Sequence, residues 1–126
     1  MKITMLGCGT SVGVPSLGIL GWGKCNPNNP KNRRQRSSVL IQKNGFNILI
    51  DAGPDVRNQL LNTKIEKIDA VLITHTHSDH ISGLHELRPF FFGNRKNIPI
   101  YGNKKSINAI YKQFDFLFDK KPTSPS

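Results

Sequence analysis

Cysteine, acidic side chains and long apolar runs are all scarce in this chain. Two cysteines, Cys8 and Cys25, in 126 residues are too few for the disulfide framework of a small secreted protein. The N-terminus has no basic segment leading into an apolar core and a small-residue cleavage site, so no secretory leader is read there. No apolar stretch reaches the roughly 20 residues needed to cross a bilayer. These absences exclude a membrane span and lead us to expect a soluble, cytoplasmic protein. Eight Asp and Glu stand against eighteen Lys and Arg, a net charge of +10 that attracts phosphates, nucleic acid or other anionic surfaces without choosing between them. A merely solvated surface gives the same balance. Histidine is also rare, and all four residues fall between positions 75 and 85.

What is present suffices for one domain. Hydrophobic residues make up 37% of the chain and include seven Phe, enough to bury a core. We assign the domain to residues 1–118 and a polar tail without apolar anchors to 119–126. Lys2-Ile-Thr-Met-Leu reads as a short first strand, ended by Gly7 and Gly9. From Gly7 to Ser37 neither a period of 2 nor one of 3.6 is sustained, which predicts a long loop rich in Gly, Pro and Asn. Ser38–Lys43 and Phe46–Asp51 are strand-like runs joined by Asn44-Gly45, the pair best suited to a tight hairpin turn. Pro54 is expected to open a short helix over Asp55–Asn62 with Val56, Leu60 and Leu61 facing the core. Ile68–Thr74 runs continuously apolar and predicts a strand buried on both faces. A helical segment over 81–92 is expected to stop at Pro89, followed by a strand at Ile98–Gly102. Asn103 is then placed to cap a helix over 104–118 with an apolar stripe through Ile107, Ile110, Tyr111, Phe114, Leu117 and Phe118. The order is a mixed α/β (α+β) pattern without internal repeats.

The chemistry concentrates where the apolar run at Ile68 ends. His75, His77, Asp79 and His80 have the spacing His-x-His-x-Asp-His, which can splay imidazoles and a carboxylate around a pocket from a strand end. Imidazole suits Zn, Fe, Mn or Ni and carboxylate the harder ions, so the set accommodates Zn most readily. Four such groups are crowded on a single tetrahedral ion, which points to two adjacent ions sharing them. A pair of ions activates a bridging water and holds both the attacking and leaving oxygens of a phosphodiester. His85, outside the spacing, reads as a partly exposed helix residue, and Cys25 as a free thiol. Arg33, Arg34 and Arg36 in the basic run after Lys31 present planar forks that match phosphate oxygens; a solvated charge run explains them equally.

The stretch Thr74-His-Thr-His-Ser-Asp-His resembles the signature of the metallo-β-lactamase superfamily. Leu6-Gly-Cys-Gly-Thr-Ser-Val-Gly-Val-Pro, Asn32-Arg-Arg-Gln-Arg-Ser-Ser-Val-Leu-Ile and Ile50-Asp-Ala-Gly-Pro-Asp are similar to its branch containing phosphoribosyl cyclic phosphate phosphodiesterase and the tRNA 3′-processing endonucleases. The resemblance implies that His75 and His77 serve a first metal and Asp79 and His80 a second. Asp79 would also orient the attacking water or hydroxide, and Asp51 would support the histidine loop from behind. It further implies metal-dependent hydrolysis of phosphodiesters, of a cyclic nucleotide, phosphoribosyl or RNA type, with zinc as the expected ion and Mn or Fe as alternatives. The implied fold is a four-layer αβ/βα sandwich of two similar halves, of which this chain corresponds to the N-terminal half. The superfamily completes its site with a further His, a bridging Asp and a last His, whereas no histidine follows His85. A separately encoded C-terminal half or a homo-oligomer is therefore expected as partner, with nucleic acid left open, and an inactive truncated remnant or partner-binding half-domain is the alternative. Relatives often carry a cysteine cluster in the early loop; with Cys25 alone there, no accessory zinc is expected.

Overall fold

The computed structural model describes residues 1–118; the polar tail expected over 119–126 lies outside the described residues. Five strands form one sheet in the order β1 (Lys2–Gly7), β2 (Ser38–Lys43), β3 (Phe46–Ile50), β4 (Ala70–Leu72) and β5 (Ile100–Tyr101). The first three run antiparallel to their neighbours, while β3, β4 and β5 run parallel. Parallel pairing needs crossover segments, and the chain supplies α1 (Val56–Leu61) before β4, then α2 (Ser78–Ile81), a 3-10 turn at Leu84–Leu87 and α3 (Arg88–Asn94) before β5. A last helix, α4 (Lys104–Gln113), follows β5. A mixed α/β sheet with its buried core on one face is what the resemblance implies for the N-terminal half of the sandwich.

Local chemistry accounts for the turns. Asn44 and Gly45 both take positive φ, 49° and 79°, as a two-residue hairpin turn demands. The Asn103 side chain accepts from the Ser106 backbone N–H at 2.8 Å and so caps α4. Two helical expectations are corrected. Pro89 does not stop a helix but lies in the first turn of α3, where its missing N–H would lack an intrahelical partner anyway. Helix α1 begins at Val56 with Asp55 as its cap residue, and Leu61 is exposed while Gln59 joins Val56 and Leu60 inside. Residues three and four after Val56 share its face and the fifth does not.

Strand alternation sets the core. Leu49 and Val71 pack with Val56, Leu60, Ile81, Leu84, Leu87, Ile110 and Phe114 on the helical face. The opposite face is apolar too, in two registered rows: Ile3, Ile41, Ile48 and Ala70 in one, Met5, Val39, Ile50, Leu72 and Tyr101 in the other. Leu72 is 37% exposed, Met5 63% and Ile3 58%. The expectation that Ile68–Thr74 is buried on both faces is therefore wrong for the described residues: Val71 and Ile73 point inward and Leu72 outward. A continuous apolar run cannot by itself distinguish a covered second face from an open one.

At the end of the sheet away from the histidines, Asp69 ties β4 to β3. It accepts from the Asn47 N–H at 2.8 Å and from Lys67 Nζ at 3.0 Å. Burial works to raise its pKa, but the Asn47 N–H together with Lys67 and Lys96 outweighs it, and the net shift is downward. A carboxylate held below its ordinary pKa contributes stability above that ordinary value and loses it as pH falls through the lowered one. Asp69→Asn should thus cost about 1 kcal/mol at neutral pH, and urea midpoints should show the gap to wild type closing below about pH 4.

Candidate metal centre

The buried Asp51 side chain stands at the exit of β3, directly beside the end of β4. Its backbone N–H donates to the Leu72 carbonyl at 2.9 Å, and its own carbonyl accepts from Ser38 Oγ at 2.9 Å. Its φ of 58° is left-handed, a conformation that Asp tolerates better than most residues. Thus fixed, Oδ1 accepts from the Thr74 N–H at 2.9 Å and Oδ2 from Thr74 Oγ1 at 2.7 Å. His80 Nδ1 lies 2.7 Å from the same Oδ2.

These contacts assign the imidazole tautomers. A carboxylate can only accept, so His80 Nδ1–H donates to Asp51, and in the neutral imidazole Nε2 then carries the lone pair. The Thr74 hydroxyl proton is engaged in its hydrogen bond to Asp51, so at 2.9 Å Oγ1 accepts from His75 Nδ1–H. His75 is thereby also left with a free Nε2. A ligating histidine needs this arrangement, with one nitrogen anchored by a hydrogen bond and the other presented to the ion. Thr74 is a residue to which the sequence reading gave no role. Its signal was its position, the last residue of the apolar run, one step before His75.

The four motif residues are gathered together. The His75 ring centroid is 4.7 Å from that of His77 and 4.0 Å from that of His80. Asp79 Oδ2 lies 3.3 Å from His80 Nε2, with side-chain exposures of 15% and 16%. Two ligands of one tetrahedral zinc, each about 2.1 Å from the ion, are about 3.4 Å apart, so this pair has the separation of shared ligands. Among the described residues, no group of three or more His, Cys, Asp or Glu is arranged to hold one ion. The donor set thus suits a metal by chemical type, and Asp79 with His80 also by separation, but it offers no closed coordination shell.

Close backbone packing holds the cluster under the β3 exit. The Ala52 N–H donates to the His80 carbonyl at 2.7 Å and the Gly83 N–H to the Ala52 carbonyl at 2.9 Å. A side-chain carbon at Gly53 would press into the Asp79 carbonyl, and one at Gly83 into the Gly53 carbonyl.

The basic residues divide between different partners. Arg36 is paired with Asp55 at 3.0 Å and reaches the Ser11 carbonyl at 3.3 Å, which makes it a fastener of the early loop. Arg33 lies over the Trp22 ring at 5.3 Å, and Arg34 Nη1 is 2.9 Å from Cys8 Sγ. His85 is half-exposed and sits 3.3 Å from Glu86. Cys25 is a free, half-buried thiol.

A strand-end histidine and aspartate cluster, backed by a buried Asp at the neighbouring strand and set on a half-sandwich, defines the metallo-β-lactamase class of site. The profile of the beta-lactamase superfamily domain matches residues 46–125, and the chain belongs to the metallo-β-lactamase superfamily. It is similar over 92% of its length to a solved diphosphatase of the PhnP family, with 41% identity and a TM-score of 0.85, and spans 46% of that chain. It is 37% identical over 123 residues to the octanoyltransferase of Porphyromonas gingivalis, covering 97% of this chain and 24% of that protein. Ribonuclease Z of Borreliella afzelii is 42% identical over 71 residues, which are 55% of this chain and 21% of the enzyme. The chain spans less than a quarter of these two curated relatives and under half of the solved diphosphatase. No helix among the described residues is long and apolar enough to cross a membrane.

Proposed function

We propose that this chain supplies the first portion of the active site of a metal-dependent phosphodiester hydrolase. The observation that carries the reading is the Asp51 network, which anchors Nδ1 of His80 directly and that of His75 through Thr74, beside Asp79. The similarity to a diphosphatase of the PhnP family and to ribonuclease Z supports a phosphate-ester substrate. In this reading His75 and His77 hold one zinc ion, Asp79 and His80 the other, and the further donors come from polypeptide outside the described residues. Bound there, zinc supplies a water acidified toward neutrality and positive charge for the phosphoryl oxygens. Asp79 would orient the attacking water or hydroxide, while Asp51 keeps the His80 ring from rotating. Arg33 and Arg34, both exposed, serve substrate phosphate, whereas Arg36 is occupied by Asp55.

Hydrolysis of bis(p-nitrophenyl) phosphate by the chain, with and without added zinc and against His77→Ala, tests the reading. Where this chain turns over substrate by itself, a zinc-dependent rate that falls by at least about 100-fold in His77→Ala is expected; equal rates for the two proteins would sink catalysis by this chain alone. The open sheet face favours a second reading, a partner-binding half-domain without turnover. That reading predicts zinc-independent complex formation and no hydrolysis.

A further inference from the structure

Arg36 is held by its backbone and its side chain at once. Its N–H donates to Asp55 Oδ2 at 2.8 Å and its carbonyl accepts from Gln59 Nε2 at 2.9 Å, so the start of α1 holds the residue by both backbone groups. Its Nη1 donates to Asp55 Oδ1 at 3.0 Å and its Nε to the Ser11 carbonyl at 3.3 Å. Arg34, two residues earlier and exposed, shares the same ribbon. Its N–H and carbonyl pair with Val14 at 2.8 and 2.9 Å, and the Gln35 carbonyl between the two arginines accepts from the Gly9 N–H at 2.7 Å. We infer that Asp55 and Arg36 are a positioning pair for Arg34, setting its guanidinium at the metal end of the sheet as an anion-binding group. The inference rests on the phosphate role given to Arg34 above and names the residues on which that role depends.

Strand direction places Arg34 at that end. Strands β1 and β3 each run antiparallel to β2, so both leave the sheet at the same end, β1 into Cys8 and β3 into Asp51. Two strand spacings, about 10 Å, separate those exits. Arg34 Nη1 lies 2.9 Å from Cys8 Sγ, which puts the guanidinium in reach of a phosphate ester held beside the histidine cluster. The two arginines have different work. The charge of Arg36 is offset by Asp55, with side-chain exposures of 27% and 18%, whereas Arg34 has no acidic partner among the described residues. The ribbon that joins them has little slack. A side-chain carbon at Gly7 would press into the Arg36 carbonyl, and one at Gly9 would come within 2.8 Å of the Arg34 and Gln35 carbonyl oxygens. Residues 34–36 therefore lie against bare backbone, and a shift at Arg36 carries Arg34 with it.

The test is titration of the 126-residue chain with inorganic phosphate in the absence of metal, at low ionic strength where charge contacts are least screened. The side-chain Nε–H resonance of Arg34 is followed by NMR, and circular dichroism checks that each variant folds. Arg34→Gln should bind phosphate about tenfold more weakly, the loss of one charge-assisted bond. Arg36→Gln should lose at least about threefold, and the double variant Arg34→Gln, Arg36→Gln should be no weaker than Arg34→Gln alone, as for residues that act through one group. Arg36→Lys keeps the charge but not the planar fork that spans Asp55 and Ser11, so it should lose as much as Arg36→Gln. Asp55→Asn should also weaken binding, although removing a negative charge by itself favours an anion. Additive losses in the double variant, wild-type affinity in Arg36→Lys, or tighter binding by Asp55→Asn overturns the inference. If Arg34→Gln binds phosphate like wild type, the phosphate role of Arg34 has failed, and the phosphate-free spectrum then judges the positioning. There the Arg34 resonance should shift in Arg36→Gln and in Asp55→Asn; a resonance unchanged in both overturns the pair.

Discussion

Asp51→Ala should lower stability by about 4 kcal/mol and weaken zinc retention by about 10- to 100-fold. The carboxylate is 4% exposed and accepts three hydrogen bonds, from the Thr74 N–H, the Thr74 hydroxyl and His80 Nδ1. Its removal leaves those donors buried or half-buried without an acceptor, at about 1–3 kcal/mol each where water cannot replace it. Alanine also strains at φ 58° by about 1 kcal/mol. Asp51→Gly removes that strain and should recover about this amount, isolating the hydrogen-bond part. Asp51→Asn separates support from mere packing. If its amide nitrogen faces His80, it opposes the Nδ1–H and drives the ring to the tautomer that occupies Nε2. Urea unfolding, zinc retention and ¹⁵N imidazole shifts check this. A stable Asp51→Asn protein that keeps both zinc and the His80 tautomer would refute the role given to Asp51.

The second large effect lies in the glycines beneath the motif. Gly53→Ala and Gly83→Ala should each cost more than about 3 kcal/mol, above the usual range for overpacking, because the new methyl meets backbone and not a movable side chain. At Gly53 the obstacle is the Asp79 carbonyl group, and at Gly83 it is the Gly53 carbonyl with Val56 Cγ1 at 2.7 Å. Gly93 is the control: it lies within α3 with nothing in reach of an added carbon, so Gly93→Ala should stabilise by up to about 1 kcal/mol. Thermal melts rank the three. A Gly53→Ala protein as stable as wild type would mean that the β3 exit and the Asp79 turn are not packed against each other.

The parts of this protein legible in its residues are those with local causes. Asn44-Gly45 codes a hairpin because few other pairs accept two positive φ values, and Asn103 codes a helix start because its side chain reaches a backbone N–H three residues on. His75, His77, Asp79 and His80 announce a metal through their number and spacing alone. Where a residue's role depends on a partner distant in the chain, the sequence was mute or misleading. Pro89 starts a helix instead of ending one, since both positions suit a residue without an N–H. Leu72 reads as core but faces outward, since hydrophobicity reports that a surface seeks cover and not whether this polypeptide provides it. Arg36 resembles a phosphate ligand until Asp55, nineteen residues away, claims it. The bonds that set the imidazoles span 23 and 29 residues. The sequence therefore named the candidate donors, while only the folded chain, by bringing the β3 exit against the end of β4, decided which nitrogen of each imidazole is anchored.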